Sequence, residues 1–184
     1  MPANRRKSRL TSCRWLLVAL LACSPLAFAD DVAPTRHPPV REAPVVTVGG
    51  EVAKPLRLDA ASLAKLPRKH VEASDHGKTG HWEGVALIDL LRDAGVPVGE
   101  ALRGANLSLY VRVSAADGYR AVYALAELDP GFRDGDVILA DRHDGKSLDG
   151  KEGPFRVIAV GEKRPARWVR QVVAIDVLRA PAHP

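Results

Sequence analysis

Residues Gly153–Val177 read GPFRVIAVGEKRPARWVRQVVAIDV: two apolar runs around a turn loaded with cations. Both runs, Phe155–Val160 and Trp168–Val177, are rich in β-branched and aromatic residues and read as strands. Strands this apolar must lie inside a sheet, paired either as a core hairpin or through a crossover. Between them lies Gly161-Glu162-Lys163-Arg164-Pro165-Ala166-Arg167, a Gly-opened turn with a proline. Lys163, Arg164 and Arg167 sit close together, with Arg170 just beyond. Such a cluster suits a phosphate or a carboxylate, and arginine adds two-pronged donation. The same residues also fit a solvated loop with Trp168 in the core. The ring of Trp168 suits stacking on a planar group or on an arginine.

The rest of the chain supplies short elements separated by turns. Val45–Val48 is a strand ended by Gly49-Gly50, and Glu51–Leu58 is a second extended run. Asp59 is placed to cap a short helix, Ala60–Leu66, stopped by Pro67. Arg68–Ala73 alternates as a strand, and Ser74–His81 reads as a polar turn. Leu87, Leu90, Leu91 and Ala94 recur at helical spacing, predicting an amphipathic helix over Ala86–Ala94 closed by Gly95. Asn106–Val113 reads as a strand with Leu107, Leu109, Val111 and Val113 on one face and Ser108, Tyr110 and Arg112 on the other, and Tyr119–Tyr123 returns as a strand after an Asp117-Gly118 hairpin signal. Leu125–Leu128 is a helical turn and Val137–Ala140 a buried strand. There is no βαβ rhythm and no internal repeat, so the expected class is α+β and mostly β.

The N-terminus reads as an export signal. Arg5, Arg6, Lys7, Arg9 and Arg14 form a positive segment, Trp15–Ala22 an apolar core, and Ala27-Phe28-Ala29 a small-x-small cleavage site. The apolar run is too short to span a bilayer, which takes roughly 20 residues. Residues 1–29 are therefore expected to be a signal peptide, 30–44 a Pro-rich tether, 45–178 one domain and 179–184 a tail. The destination is periplasmic or secreted; Leu20-Leu21-Ala22-Cys23 offers a lipoprotein variant with lipid on Cys23. The leader holds five of the 27 Lys and Arg and none of the 22 Asp and Glu, so the chain beyond it is formally neutral. That balance removes the general case for nucleic-acid binding. Both cysteines, Cys13 and Cys23, also lie in the leader, which leaves no disulfide, no cysteine-ligated metal and no thiol nucleophile after cleavage.

Asp75, His76 and His81 place a carboxylate and two imidazoles in one polar segment. A metal site there would need further ligands, for which Asp117, Asp141 and His143 are candidates; the alternative is an exposed polar turn. No metal ligands are assigned. No Gly-x-Ser-x-Gly elbow, phosphate loop or dinucleotide glycine fingerprint is present.

Three stretches resemble the oxidoreductase molybdopterin-binding domain family, with its sulfite-oxidase-type fold. Trp82–Val96 (WEGVALIDLLRDAGV) is similar to the family's W-x-G-V-x-L-x-x-L-L-x-x-A-G-V. Ala116-Asp117-Gly118-Tyr119 with Leu125 and Val137–Ala140 is the second. The third is Gly153–Ile158, like its G-x-P-x-R strand, continued by Gly161-x-Lys163-x-x-x-Arg167-Trp168, like its G-x-K-x-x-K/R-W loop. The resemblance implies a molybdopterin pocket in which that loop holds the pterin's phosphate. It frames the pocket with Ser74, His76, His81, Arg120, Lys163, Arg164 and Arg167. The family ligates molybdenum through a cysteine after the strand that precedes the W-x-G-V helix. Here that region is Val71–His76, without a thiol, and Ser74 or Asp75 would be a harder ligand. The expectation is an exported binding or accessory module without molybdenum–thiolate chemistry. One alternative is a genuine molybdopterin-dependent oxidoreductase subunit with a non-cysteine ligand. Another is a periplasmic metal or anion binder. The expected partner is a periplasmic redox or signalling protein.

Overall fold

A computed structural model describes residues 43–181. The signal peptide and nearly all of the tether lie outside the described residues, as does the end of the tail.

Ten strands form two five-stranded sheets. The first sheet contains β1 (Val46–Gly50), β2 (Leu56–Leu58), β5 (Leu109–Ala115), β6 (Arg120–Ala124) and β10 (Val172–Arg179), in the order β2-β1-β10-β5-β6. The second contains β3 (Lys69–Asp75), β4 (Lys78–Ala86), β7 (Val137–His143), β8 (Lys146–Ser147) and β9 (Arg156–Ala159). Its order is β3-β4-β7-β8, with β9 paired to β7. Three short helices decorate them: α1 (Ala60–Leu63), α2 (Leu87–Asp93) and α3 (Leu125–Leu128). The class is α+β and mostly β. Among the described residues no helix is long and apolar enough to cross a membrane.

Hydrophobic side chains of both sheets and all three helices join in one buried cluster. β5 shows the pattern that builds it, with Leu109, Val111, Val113 and Ala115 inside and Tyr110, Arg112 and Ser114 half-buried on the other face. α2 buries Leu87, Ile88, Leu90 and Leu91 and turns Asp89 and Arg92 outward as an ion pair. Gly95 ends it at φ 80°, where a Cβ would stand 2.6 Å from that of Ala53.

The two apolar runs that flank the basic turn form a crossover and not a hairpin. β9 pairs antiparallel with β7 in the second sheet, while β10 lies in the first, parallel to β1 and antiparallel to β5. The basic loop is therefore a bridge between sheets, and Trp168 precedes β10 instead of opening it. Further boundaries differ. The polar turn predicted over Ser74–His81 is mostly ladder, because β3 and β4 pair down to Asp75 and Lys78. Trp82 consequently sits inside a strand. Leu107 falls in a short 3₁₀ turn, Gly104–Ser108, and is 49% exposed instead of facing the core. α1 stops at Leu63, although Asp59 caps it as expected, accepting the Ser62 N–H at 2.7 Å.

Candidate functional site

The tip of the β3–β4 hairpin forms one wall of the site. Pairing of Asp75 with Lys78 leaves only His76 and Gly77 to turn the chain, both at positive φ, 49° and 80°. Two successive left-handed residues give the twist that suits a tight hairpin. Alternation along β3 then sends Ala73 and Asp75 to one face and Ser74 to the other.

The opposite wall is the start of β9. Arg156 is a strand residue with a side chain only 5% exposed. Its Nη2 donates to Asp75 Oδ2 at 2.8 Å, and its Nη1 lies 2.9 Å from Glu152 Oε2. The guanidinium carbon stands 5.0 Å from the ring centroid of Trp82 and 5.6 Å from that of Trp168. Trp82 in turn stacks on His143 at 3.8 Å with the planes 4° apart, and Trp168 donates its indole N–H to the Ala159 carbonyl at 3.2 Å. A cation this far from water needs compensation, and two carboxylates and two aromatic faces provide it. The compensation is incomplete. Arg156 Nε and Nη1 and Asp75 Oδ1 are buried without an aligned hydrogen-bond partner.

Two cavities open beside this cluster. One, of about 450 Å³, is lined by Asp75, Asp117, Glu152, Arg156 and Arg170, among others. The second, of about 740 Å³, is lined by Ser74, His76, Glu162, Lys163 and Arg164, among others. They share His76, Pro165 and Ala166. Four of the seven residues singled out from the sequence, Ser74, His76, Lys163 and Arg164, thus meet at one concavity. Lys163 and Arg164 have no ion-pair partner among the described residues.

The other three lie elsewhere. Arg120 is exposed on β6 and lines neither cavity. His81 lies further along β4 and lines a separate groove with His70 and Glu72; its backbone N–H donates to Asp144 Oδ1 at 2.9 Å. Arg167 faces away from both cavities. It donates to Glu127 Oε1 at 2.8 Å and Glu162 Oε1 at 2.5 Å, donates to the Val122 carbonyl, and lies 4.3 Å over the Tyr123 ring. Its hydrogen bonds to Glu127, and then those to Glu162, hold its pKa above the ordinary value against the opposing effect of burial. Tyr123 donates to the Arg167 carbonyl and Tyr119 to that of Ala166, each at 2.5 Å, pinning the turn Pro165–Arg167. Burial, reinforced by the Glu162 carboxylate, raises the pKa of Tyr123 and keeps it a donor. Among the described residues no three His, Cys, Asp or Glu side chains gather as a metal cluster.

Sequence reasoning missed Arg156 and Glu152 as site residues, and placed Arg170 only at the far end of the basic cluster. The signal was faint: Glu152 and Arg156 sit four apart, but Asp75 joins Arg156 only through the fold.

The model of the oxidoreductase molybdopterin-binding domain matches residues 37–183. The chain belongs to that family. Among solved structures, 28 chains match; one is the sulfane dehydrogenase SoxCD from Paracoccus pantotrophus. That match has a TM-score of 0.58 at 19% identity and covers 73% of this chain and 38% of that one. At this identity the likeness shows the sulfite-oxidase-type molybdopterin fold and nothing finer. No curated protein matches the chain.

The family name implies a molybdopterin group, and the donor set can be tested against its metal. Residues 43–181 contain neither cysteine nor methionine. The end of β3 offers a hydroxyl on Ser74, a carboxylate on Asp75 and an imidazole on His76, and the carboxylate is already engaged by Arg156. The hydroxyl and carboxylate are hard donors and the imidazole a borderline one, and none of them fits a metal held by soft sulfur.

Proposed function

We propose that this protein is an exported binding or accessory module that uses the molybdopterin-binding fold without metal–thiolate catalysis. The observation that carries this reading is the Asp75–Arg156 ion pair. It commits the one carboxylate at the end of β3 to a buried guanidinium, in a region without sulfur. The cavities beside it give such a module a place to hold a ligand, and the unpaired Lys163 and Arg164 favour an anionic group there. The positive, apolar and small-x-small segments of residues 1–29 support export, and a periplasmic redox or signalling protein is the partner this location suggests.

Protein purified natively is expected to carry no stoichiometric molybdenum by elemental analysis and no pterin fluorescence after acid oxidation. Stoichiometric metal together with pterin would overturn the accessory reading in favour of a working oxidoreductase. Sequencing the exported product from its N-terminus is expected to begin at Asp30, and an unprocessed cytoplasmic chain would refute export.

A further inference from the structure

We propose that the two cavities form a site for a small α-amino acid with an acidic side chain. This rests on the accessory-module reading, in which no pterin fills the space.

The walls of the smaller cavity carry both signs. Asp75, Glu152 and Asp117 oppose Arg156 and Arg170. Arg156 already pairs with Asp75 and Glu152 within the wall, whereas Arg170 and Asp117 are exposed and have no ion-pair partner among the described residues. A simple anion would satisfy Arg170 and leave Asp117 unpaired. A simple cation would do the reverse. A zwitterion brings a carboxylate for Arg170 and an ammonium group for Asp117, so each of the two charges finds a partner. The volume of about 450 Å³ lies within the range of small-molecule sites, roughly 300–1,000 Å³. The side-chain preference comes from the adjoining cavity. Lys163 and Arg164 face it without ion-pair partners of their own, across the shared residues His76, Pro165 and Ala166. A second carboxylate reaching past His76 would meet them.

The test is isothermal titration of the full-length chain, as processed and purified, with glutamate, glycine, glutarate and ethylammonium. Glutamate is expected to bind tightest, about tenfold more tightly than glycine, with glutarate and ethylammonium weaker than either. Arg170→Gln is expected to weaken glutamate and glycine together, and Lys163→Gln with Arg164→Gln to remove the margin of glutamate over glycine. All three residues are exposed, so these variants test the site and not the fold. Glutarate binding as tightly as glutamate would mark a plain anion site and overturn the proposal. So would the absence of saturable binding by either amino acid, or binding indifferent to Arg170. Molybdenum and pterin analysis of the same sample separates the two levels. A cofactor found there defeats the accessory reading and this inference with it, whereas a cofactor-free protein that ignores glutamate defeats this inference alone.

Discussion

Arg156 sets the energetics of the site because its charge is buried and its partners are split across the chain. Asp75 lies 81 positions away and Glu152 four. Removing only the cation leaves two carboxylates facing one another beside the core. Arg156→Met should therefore cost about 3–5 kcal/mol in urea denaturation. Combining it with Asp75→Asn and Glu152→Gln should recover most of that loss, because no half-buried carboxylate is then left without its cation. A triple variant no more stable than the single one would show that the guanidinium acts chiefly by packing between Trp82 and Trp168. Two glycines on β4 make a second contrast. A Cβ on Gly84 would stand 2.2 Å from the Leu139 carbonyl oxygen, which belongs to the neighbouring strand backbone. A Cβ on Gly80 would stand 2.2 Å from His143 Nε2, a side chain able to swing away. Gly84→Ala should be the more destabilising. Gly80→Ala should instead unstack His143 from Trp82 and alter the tryptophan emission.

At the scale of elements, the loop Gly161–Arg167 is the piece whose role the fold redefines. Its residues look alike in sequence, yet Lys163 and Arg164 face a cavity while Arg167 is a strut tied to α3 through Glu127. Glu127→Gln or Arg167→Ala should speed amide hydrogen exchange across residues 161–167 while leaving β10 protected. Equal loss of protection in β10 would mean that the strut supports the sheet and not merely the loop. The sequence pattern made several elements legible: the alternation of β5, the stripe of α2 and the cap at Asp59. All three depend on local spacing. The same patterning blurred where spacing alone is ambiguous. Ser74–His81 is polar enough for a loop, but its pairing partner is itself, one hairpin arm against the other, and the turn shrinks to His76-Gly77. The candidate site was half legible for the same reason. The basic loop announced its charge, but which cation points inward depends on Glu127 and Glu162, and the Arg156 cluster depends on contacts made across the fold.

At the scale of the whole molecule, surface carboxylates engaged by backbone and side-chain donors add a pH-dependent contribution to stability. Hydrogen bonds from Ser62 lower the pKa of Asp59, the His81 N–H lowers that of Asp144, and the N–H groups of Lys151 and Glu152 lower that of Asp149. A lowered carboxylate stabilises the fold above its ordinary value of 3.8, and the benefit disappears as pH falls through the lower folded value. The melting temperature should therefore decline as the medium is acidified past that point, and Asp144→Asn should make the decline shallower. An unchanged slope would remove Asp144 from the account.

The parallel pairing of β1 with β10 has a consequence for biogenesis. β10 is the central strand of the first sheet, flanked by β1 and β5, and it is the last strand of the described chain. A nascent chain lacking Val172–Arg179 has no seam joining Val46–Gly50 to Leu109–Ala115. Synthesis must pass Val172–Arg179 before that seam can close, whereas every strand of the second sheet has by then been made. The second sheet can therefore finish its own pairing while the first still waits for its central strand.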